Sequence, residues 1–159
     1  MSDRIGRNTL LRAAAAALVG LAAMLGVAAP ASADVIVPPG RSGNICSGYL
    51  LHQASGVRFQ TCAWADDNEV YFTVNFKNPT ASAKRMAGIY LGFYHAGSFN
   101  AWCLQDYGWQ DNEMIVVPAG GVKGTPTAEC AYPRTRGAYQ ATAWVGNTGP
   151  VTSDSLQVQ

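Results

Sequence analysis

From Val70 to Lys77 the apolar residues Val70, Phe72, Val74 and Phe76 alternate with Tyr71, Thr73, Asn75 and Lys77. Successive side chains of a strand point to opposite faces, so this period of two predicts a strand with one buried face. Asn78-Pro79-Thr80 closes it, because proline cannot donate to the ladder. Val57 to Trp64 predicts a preceding strand, linked to the first through the turn-rich Asp66-Asp67-Asn68. In Ala87 to Tyr94, Ala87, Ile89, Leu91 and Phe93 share one face, and Gly88, Tyr90, Gly92 and Tyr94 the other. This segment is expected to be the next strand inward.

Further on, Met114 to Val117 ends at Pro118 and Gly120-Gly121, with Val122 to Pro126 expected to return beside it. Tyr139 to Val145 alternates again, and Asn147 to Pro150 turns the chain toward a last strand carrying Leu156 and Val158. Ala81 to Met86 reads as a short turn of helix or as loop. Elsewhere after residue 33 no helical periodicity exceeds two turns. About seven short strands at turn-punctuated intervals predict an all-β fold, an antiparallel immunoglobulin-like β-sandwich.

Residues 1–33 follow another pattern. Arg4, Arg7 and Arg12 precede an apolar run from Ala13 to Ala29, and Ala31-Ser32-Ala33 offers the small-x-small site of an export signal. The run is shorter than the ~20 apolar residues a spanning helix needs and is interrupted by Gly20 and Gly26. Cleavage is expected before Asp34, leaving a secreted, extracellular chain with no membrane attachment. The expected organisation is a signal peptide over residues 1–33, an extended N-terminal arm over 34–45 and a β-sandwich domain over 46–159.

Export changes the charge and cysteine readings. The 159 residues hold 11 Lys+Arg and 10 Asp+Glu; without Arg4, Arg7, Arg12 and Asp3 the balance is 8 to 9, net about −1. No basic stripe remains for a phosphate backbone, so nucleic acid is not an expected partner. Cys46, Cys62, Cys103 and Cys130 all follow the cut, and an even set in an oxidising compartment predicts two disulfides. Three pairings are possible; Cys46–Cys62 with Cys103–Cys130 is favoured because each closes a local loop beside a strand. A loop of about 15 residues contributes about 3 kcal/mol. No cysteine pair has the two-residue spacing of a zinc knuckle, and no metal or cofactor is expected.

Candidate chemistry is sparse. His52 and His95 stand outside any nucleophile-elbow or zinc-protease motif, and no catalytic residue can be named. The acidic groups Asp66, Asp67, Glu69 and Asp106, Asp111, Glu113 have no calcium-loop spacing and suit turns. The chain is therefore read as a non-enzyme. Between Phe99 and Trp109, the residues Phe99, Tyr107 and Trp109 form a candidate contact surface on a polar loop, since large rigid rings supply contact area at low entropy cost. Trp102, next to Cys103, is expected against a disulfide. Arg134 and Arg136 follow Cys130 in a loop of the kind a protease inhibitor presents.

Val57-Arg58-Phe59-Gln60-Thr61-Cys62-Ala63-Trp64, the strand Val70 to Lys77 with its Asn78-Pro79-Thr80 stop, and Tyr139-Gln140-Ala141-Thr142-Ala143-Trp144-Val145 resemble small secreted β-sandwich proteins of actinomycete bacteria. The alanine-rich leader and Ala-Ser-Ala cut are similar to theirs. In size and layout the chain also resembles the adaptor subunits of umbrella-shaped antibacterial toxin particles secreted by Streptomyces. That resemblance implies a connector between secreted proteins, docking through its N-terminal arm. Val35, Ile36 and Val37 before Pro38 and Pro39 are the residues expected to engage a partner, since an extended β-branched segment can add to a partner's sheet edge. The leading expectation is a secreted protein-binding adaptor of a toxin assembly; carbohydrate binding and protease inhibition are the alternatives.

Overall fold

The computed structural model describes residues 34–159; the expected export signal over residues 1–33 lies outside them. Two six-stranded sheets dominate. The first has the order β1 (Val35–Val37), β14 (Leu156–Val158), β12 (Gly137–Val145), β7 (Ile89–His95) and β8 (Ser98–Tyr107), with β13 (Thr148–Thr152) also paired to β12. The second runs β10 (Val122–Gly124), β5 (Glu69–Lys77), β4 (Val57–Ala65) and β2 (Gly43–Cys46); β11 (Ala131–Pro133) joins β5 and β3 (Leu50–His52) joins β4. A two-stranded ribbon pairs β6 (Lys84–Met86) with β9 (Ile115–Val117). Every pairing is antiparallel except β1 with β14, which is parallel.

The long alternating runs form the strands expected of them. β4 and β5 make the hairpin across Asp66-Asp67-Asn68, with Trp64 opposite Tyr71 and Phe59 opposite Phe76. The chain nevertheless has fourteen strands among the described residues rather than about seven. Seven of them span three residues each, too short to show any periodicity.

Three segments refine or correct the expectation. β7 is not the next strand inward beside β5; it lies in the other sheet, between β8 and β12. Val122 to Gly124 comes back near β9 but takes its ladder from β5. Residues 81–86 contain no helical turn, because Lys84–Met86 is strand β6. Buried Asn78 organises that region. Its Nδ2 donates to the carbonyls of Ser82 at 2.8 Å, Val117 at 3.1 Å and Pro118 at 3.1 Å, while its Oδ1 accepts from Thr80 N–H at 3.0 Å. A fully bonded amide costs little to bury.

Between the sheets lies one continuous core. Phe72 of β5 stacks on Phe93 of β7 with ring centroids 4.4 Å apart and planes 12° apart, and Tyr132 of β11 packs on the same Phe93 ring at 4.4 Å. Val57, Phe59, Val74 and Phe76 face Leu91, Ala141, Ala143 and Val145 across this layer, all buried.

Both local disulfides are formed. Cys46–Cys62 ties β2 to β4 at directly opposed positions, and Cys103–Cys130 ties β8 to the 3₁₀ turn Thr127–Cys130. No helix among the described residues is long and apolar enough to cross a membrane. Phe72→Ala should reduce unfolding free energy by about 3–5 kcal/mol through the cavity left between the sheets. Urea denaturation followed by tryptophan fluorescence measures it, and a loss under ~1 kcal/mol would show that the stack is not central.

Candidate binding surfaces

The expected arm, residues 34–45, carries strand β1 and most of β2. Val35, Ile36 and Val37 pair with Leu156, Gln157 and Val158, and Gly43 to Cys46 pairs with β4, so the segment crosses from one sheet to the other. The crossing is close: a Cβ on Gly43 would lie 2.7 Å from Val37 Cγ2. Val37 is buried, while Ile36, Pro38 and Pro39 face solvent.

Arg134 fastens this segment. Its Nη1 donates to Arg41 O at 2.9 Å and to Asp66 O, and its Nη2 donates to Pro38 O at 2.7 Å and Val37 O at 3.2 Å. A guanidinium suits this because its five donors are held in a rigid fork. Arg134 is therefore a clasp, and while it holds the arm its side chain is not presented as a protease specificity residue. Of the pair, Arg136 is exposed and Arg134 is half-buried.

Asp66, Glu69, Asp106 and Glu113 accept local hydrogen bonds. Asp66 Oδ1 accepts the backbone N–H of Asn68 and of Glu69, both at 2.8 Å. These bonds, joined by the Tyr71 hydroxyl and the charge of Arg134, hold its carboxyl below the usual value. Tyr71 donates to Glu69 Oε2 at 2.8 Å, with Asp66 Oδ2 at 3.1 Å, and its ionisation is pushed well above the ordinary tyrosine range by the bond to Glu69, then by desolvation and Asp66. Glu113 Oε2 accepts Gly108 N–H at 3.1 Å. Of the histidines, His52 Nδ1 bonds Ser55 Oγ at 2.8 Å within the β3–β4 turn, and burial lowers its pKa; His95 stacks on Tyr139 with centroids 4.4 Å apart.

The expected aromatic loop is mostly strand β8. Its alternation is hidden by three register irregularities against β7. A bulge moves side chains out of phase, so the period of two fails although the ladder continues. The three residues named there separate. Tyr107 is 9 % exposed and belongs to the core; Phe99 is 42 % and Trp109 63 % exposed. Trp109 is held at the tip by its indole N–H, which donates to Asp106 Oδ1 at 2.8 Å.

Trp102 does not pack on a disulfide. It points to the solvent side of the first sheet, 36 % exposed, while Leu104 of the same strand points inward. There it meets Phe99 at 4.9 Å, Trp144 at 5.5 Å and Tyr90 at 6.3 Å between centroids, and Tyr94 meets Phe99 at 5.5 Å. The rings are tilted or edge-on, from 54° to 79°. Gly92 makes room beneath them: a Cβ there would fall 2.8 Å from Trp102 Cε3 and 3.0 Å from Phe99 Cε2. Five aromatics from three strands thus form one outward patch. The alternation in the sequence puts Tyr90 and Tyr94 on the same face of their run, but their meeting with Trp144 and with β8 is set by pairings the sequence does not show.

The outer face of the second sheet is different. Trp64 stacks on Tyr71 with centroids 4.5 Å and planes 26° apart, 38 % exposed, beside neutral polar side chains. Comparison with protein-family models, curated proteins and solved structures finds no match.

Because the folded pKa of Asp66 is lowered, its stabilisation is present above the unfolded value of 3.8 and lost as pH falls below it. Unfolding measured between about pH 6 and pH 3 should show this loss in the wild type and a smaller one in Asp66→Asn. Arg134→Lys should speed amide exchange at Val35 and Gln159, whose N–H groups bond Ser155 O and Val37 O at the clasped arm. Unchanged exchange by mass spectrometry would show that Arg134 does not hold the arm.

Proposed function

We propose that the protein is a secreted, non-enzymatic protein-binding module on an immunoglobulin-like frame, and that its contact surface is the outer face of β7, β8 and β12. The observation that carries this reading is the cluster of Tyr90, Tyr94, Phe99, Trp102 and Trp144 on the solvent side of the first sheet. A sheet buries one face to fold, and its other face needs no aromatics for that purpose. Trp and Tyr dominate the energetic centres of protein interfaces. Their tilted rings make an uneven surface, which suits a shaped polypeptide partner better than a flat stacked lattice.

An adaptor that joins two subunits of an extracellular toxin assembly needs two contacts. The outer edge of β1, which ends the first sheet and exposes Ile36, is the second in this reading, and strand addition is its mode. The arm residues Val35 to Pro39 would then act from their docked position, through backbone and Ile36.

With residues 34–159 immobilised in culture medium of the producing cell, secreted polypeptides should be retained. Trp102→Ala should lower that retention by about tenfold or more, the scale of a central interface aromatic, while circular dichroism stays native. Equal retention by Trp102→Ala and Phe99→Ala proteins would overturn the assignment of the surface.

A further inference from the structure

The second sheet carries a depression of about 410 Å³ on its outer face, within the ~300–1,000 Å³ range of small-ligand sites. Trp64, Tyr71 and the Cys46–Cys62 disulfide line it, and Asn44, Thr73, Asn75, Thr125 and Thr127 supply polar atoms. No charged side chain lines it.

Three features of this depression point to one ligand chemistry. First, the Trp64 ring is fixed before any ligand arrives: Tyr71 backs it at 4.5 Å, and Tyr71 is itself anchored through its hydroxyl to Glu69 and Asp66. An immobilised, partly exposed indole presents a negative π-face to polarised C–H groups at little entropy cost. Second, several of the polar groups are uncommitted, although the Thr125 hydroxyl accepts from Val74 N–H at 3.1 Å and Tyr71 is engaged as above. The side chains of Asn44, Thr73 and Thr127 make no hydrogen bond among the described residues, and the Asn75 amide has only its Nδ2 engaged, donating to Cys62 Sγ at 3.2 Å. Sulfur is a weak acceptor, so this bond is easily supplemented. Third, amides and hydroxyls both donate and accept, which matches hydroxyl groups and offers nothing to compensate a buried charge.

A second depression, of about 480 Å³, shares Trp64 and is lined by Gly40, Arg41, Ser42, Asp66, Asp67 and Asn68, so charged groups of both signs border that side of the ring. The ring therefore stands between two recesses. An extended ligand crossing it would place one unit on the indole and neighbours on either side.

We propose that this face is a binding site for a neutral oligosaccharide, with Trp64 as the stacking platform and Asn44, Thr73, Asn75 and Thr127 as hydrogen-bonding groups. It is independent of the protein-contact surface, which occupies the opposite sheet.

The test is affinity electrophoresis of residues 34–159 through gels containing soluble chitosan-free glycol chitin, hydroxyethyl cellulose or starch, with titration of tryptophan fluorescence by chitohexaose, cellohexaose and maltohexaose. At least one neutral glycan should retard the protein and perturb its fluorescence. Trp64→Ala should weaken binding about tenfold or more. The double variant Asn44→Ala with Thr127→Ala, which removes two exposed side chains without touching the core, should weaken it as well. Trp102→Ala should bind as the wild type does, which separates this site from the protein-contact face. Binding to none of the glycans, retention only on an anionic polymer such as heparin, or wild-type binding by both Trp64→Ala and the double variant would overturn the proposal.

Discussion

The face-to-face contact of Phe72 with Phe93 is the constraint around which the molecule is arranged. It joins the central strand region of one sheet to that of the other, and Tyr132 and Tyr139 complete the same aromatic layer. Once these inward positions are occupied, the phase of each long strand is decided, because a slip by one residue would turn every ring to solvent. Phe93 inward places Tyr94 and Gly92 outward; Phe72 inward places Tyr71 and Thr73 outward. Both candidate surfaces therefore inherit their composition from the core packing beneath them.

What was legible in the chain follows from the same physics. Strands with a clean alternation, such as Val70 to Lys77, could be read because one face is buried and one is wet. β8 could not, since its bulges against β7 shift the phase and a positive φ at Asp106 breaks the run near its end. The three-residue strands β6, β10 and β11 are defined by partners far away in sequence, and no local pattern announces them. Sheet membership was equally hidden. Nothing in residues 87–94 says that they pair with Gly137–Val145 rather than with the strand that precedes them, for the apolar face looks the same in either sheet.

The candidate sites divide in the same manner. Phe99 and Trp109 could be singled out because aromatics amid polar residues and glycines suggest exposure, and both are exposed. Tyr107 shared that local context yet is buried, as the bulges and not the composition decide which way it turns. Arg134 looked like a free basic residue in a loop after a disulfide. Its four acceptors lie on segments near residues 37–41 and 66, which meet it only when the sheets close.

The clasp has a consequence for how this protein can vary. All four groups that receive hydrogen bonds from Arg134 are backbone carbonyls, of Val37, Pro38, Arg41 and Asp66. A carbonyl is present whatever side chain follows it. Changing the exposed side chains at positions 38 and 41 would remove none of these acceptors, whereas the donors come from the arginine at position 134 alone. Surface diversification at the amino-terminal end and rigidity of its path are compatible here, because the side chains that could diversify are not the ones that hold the chain in place.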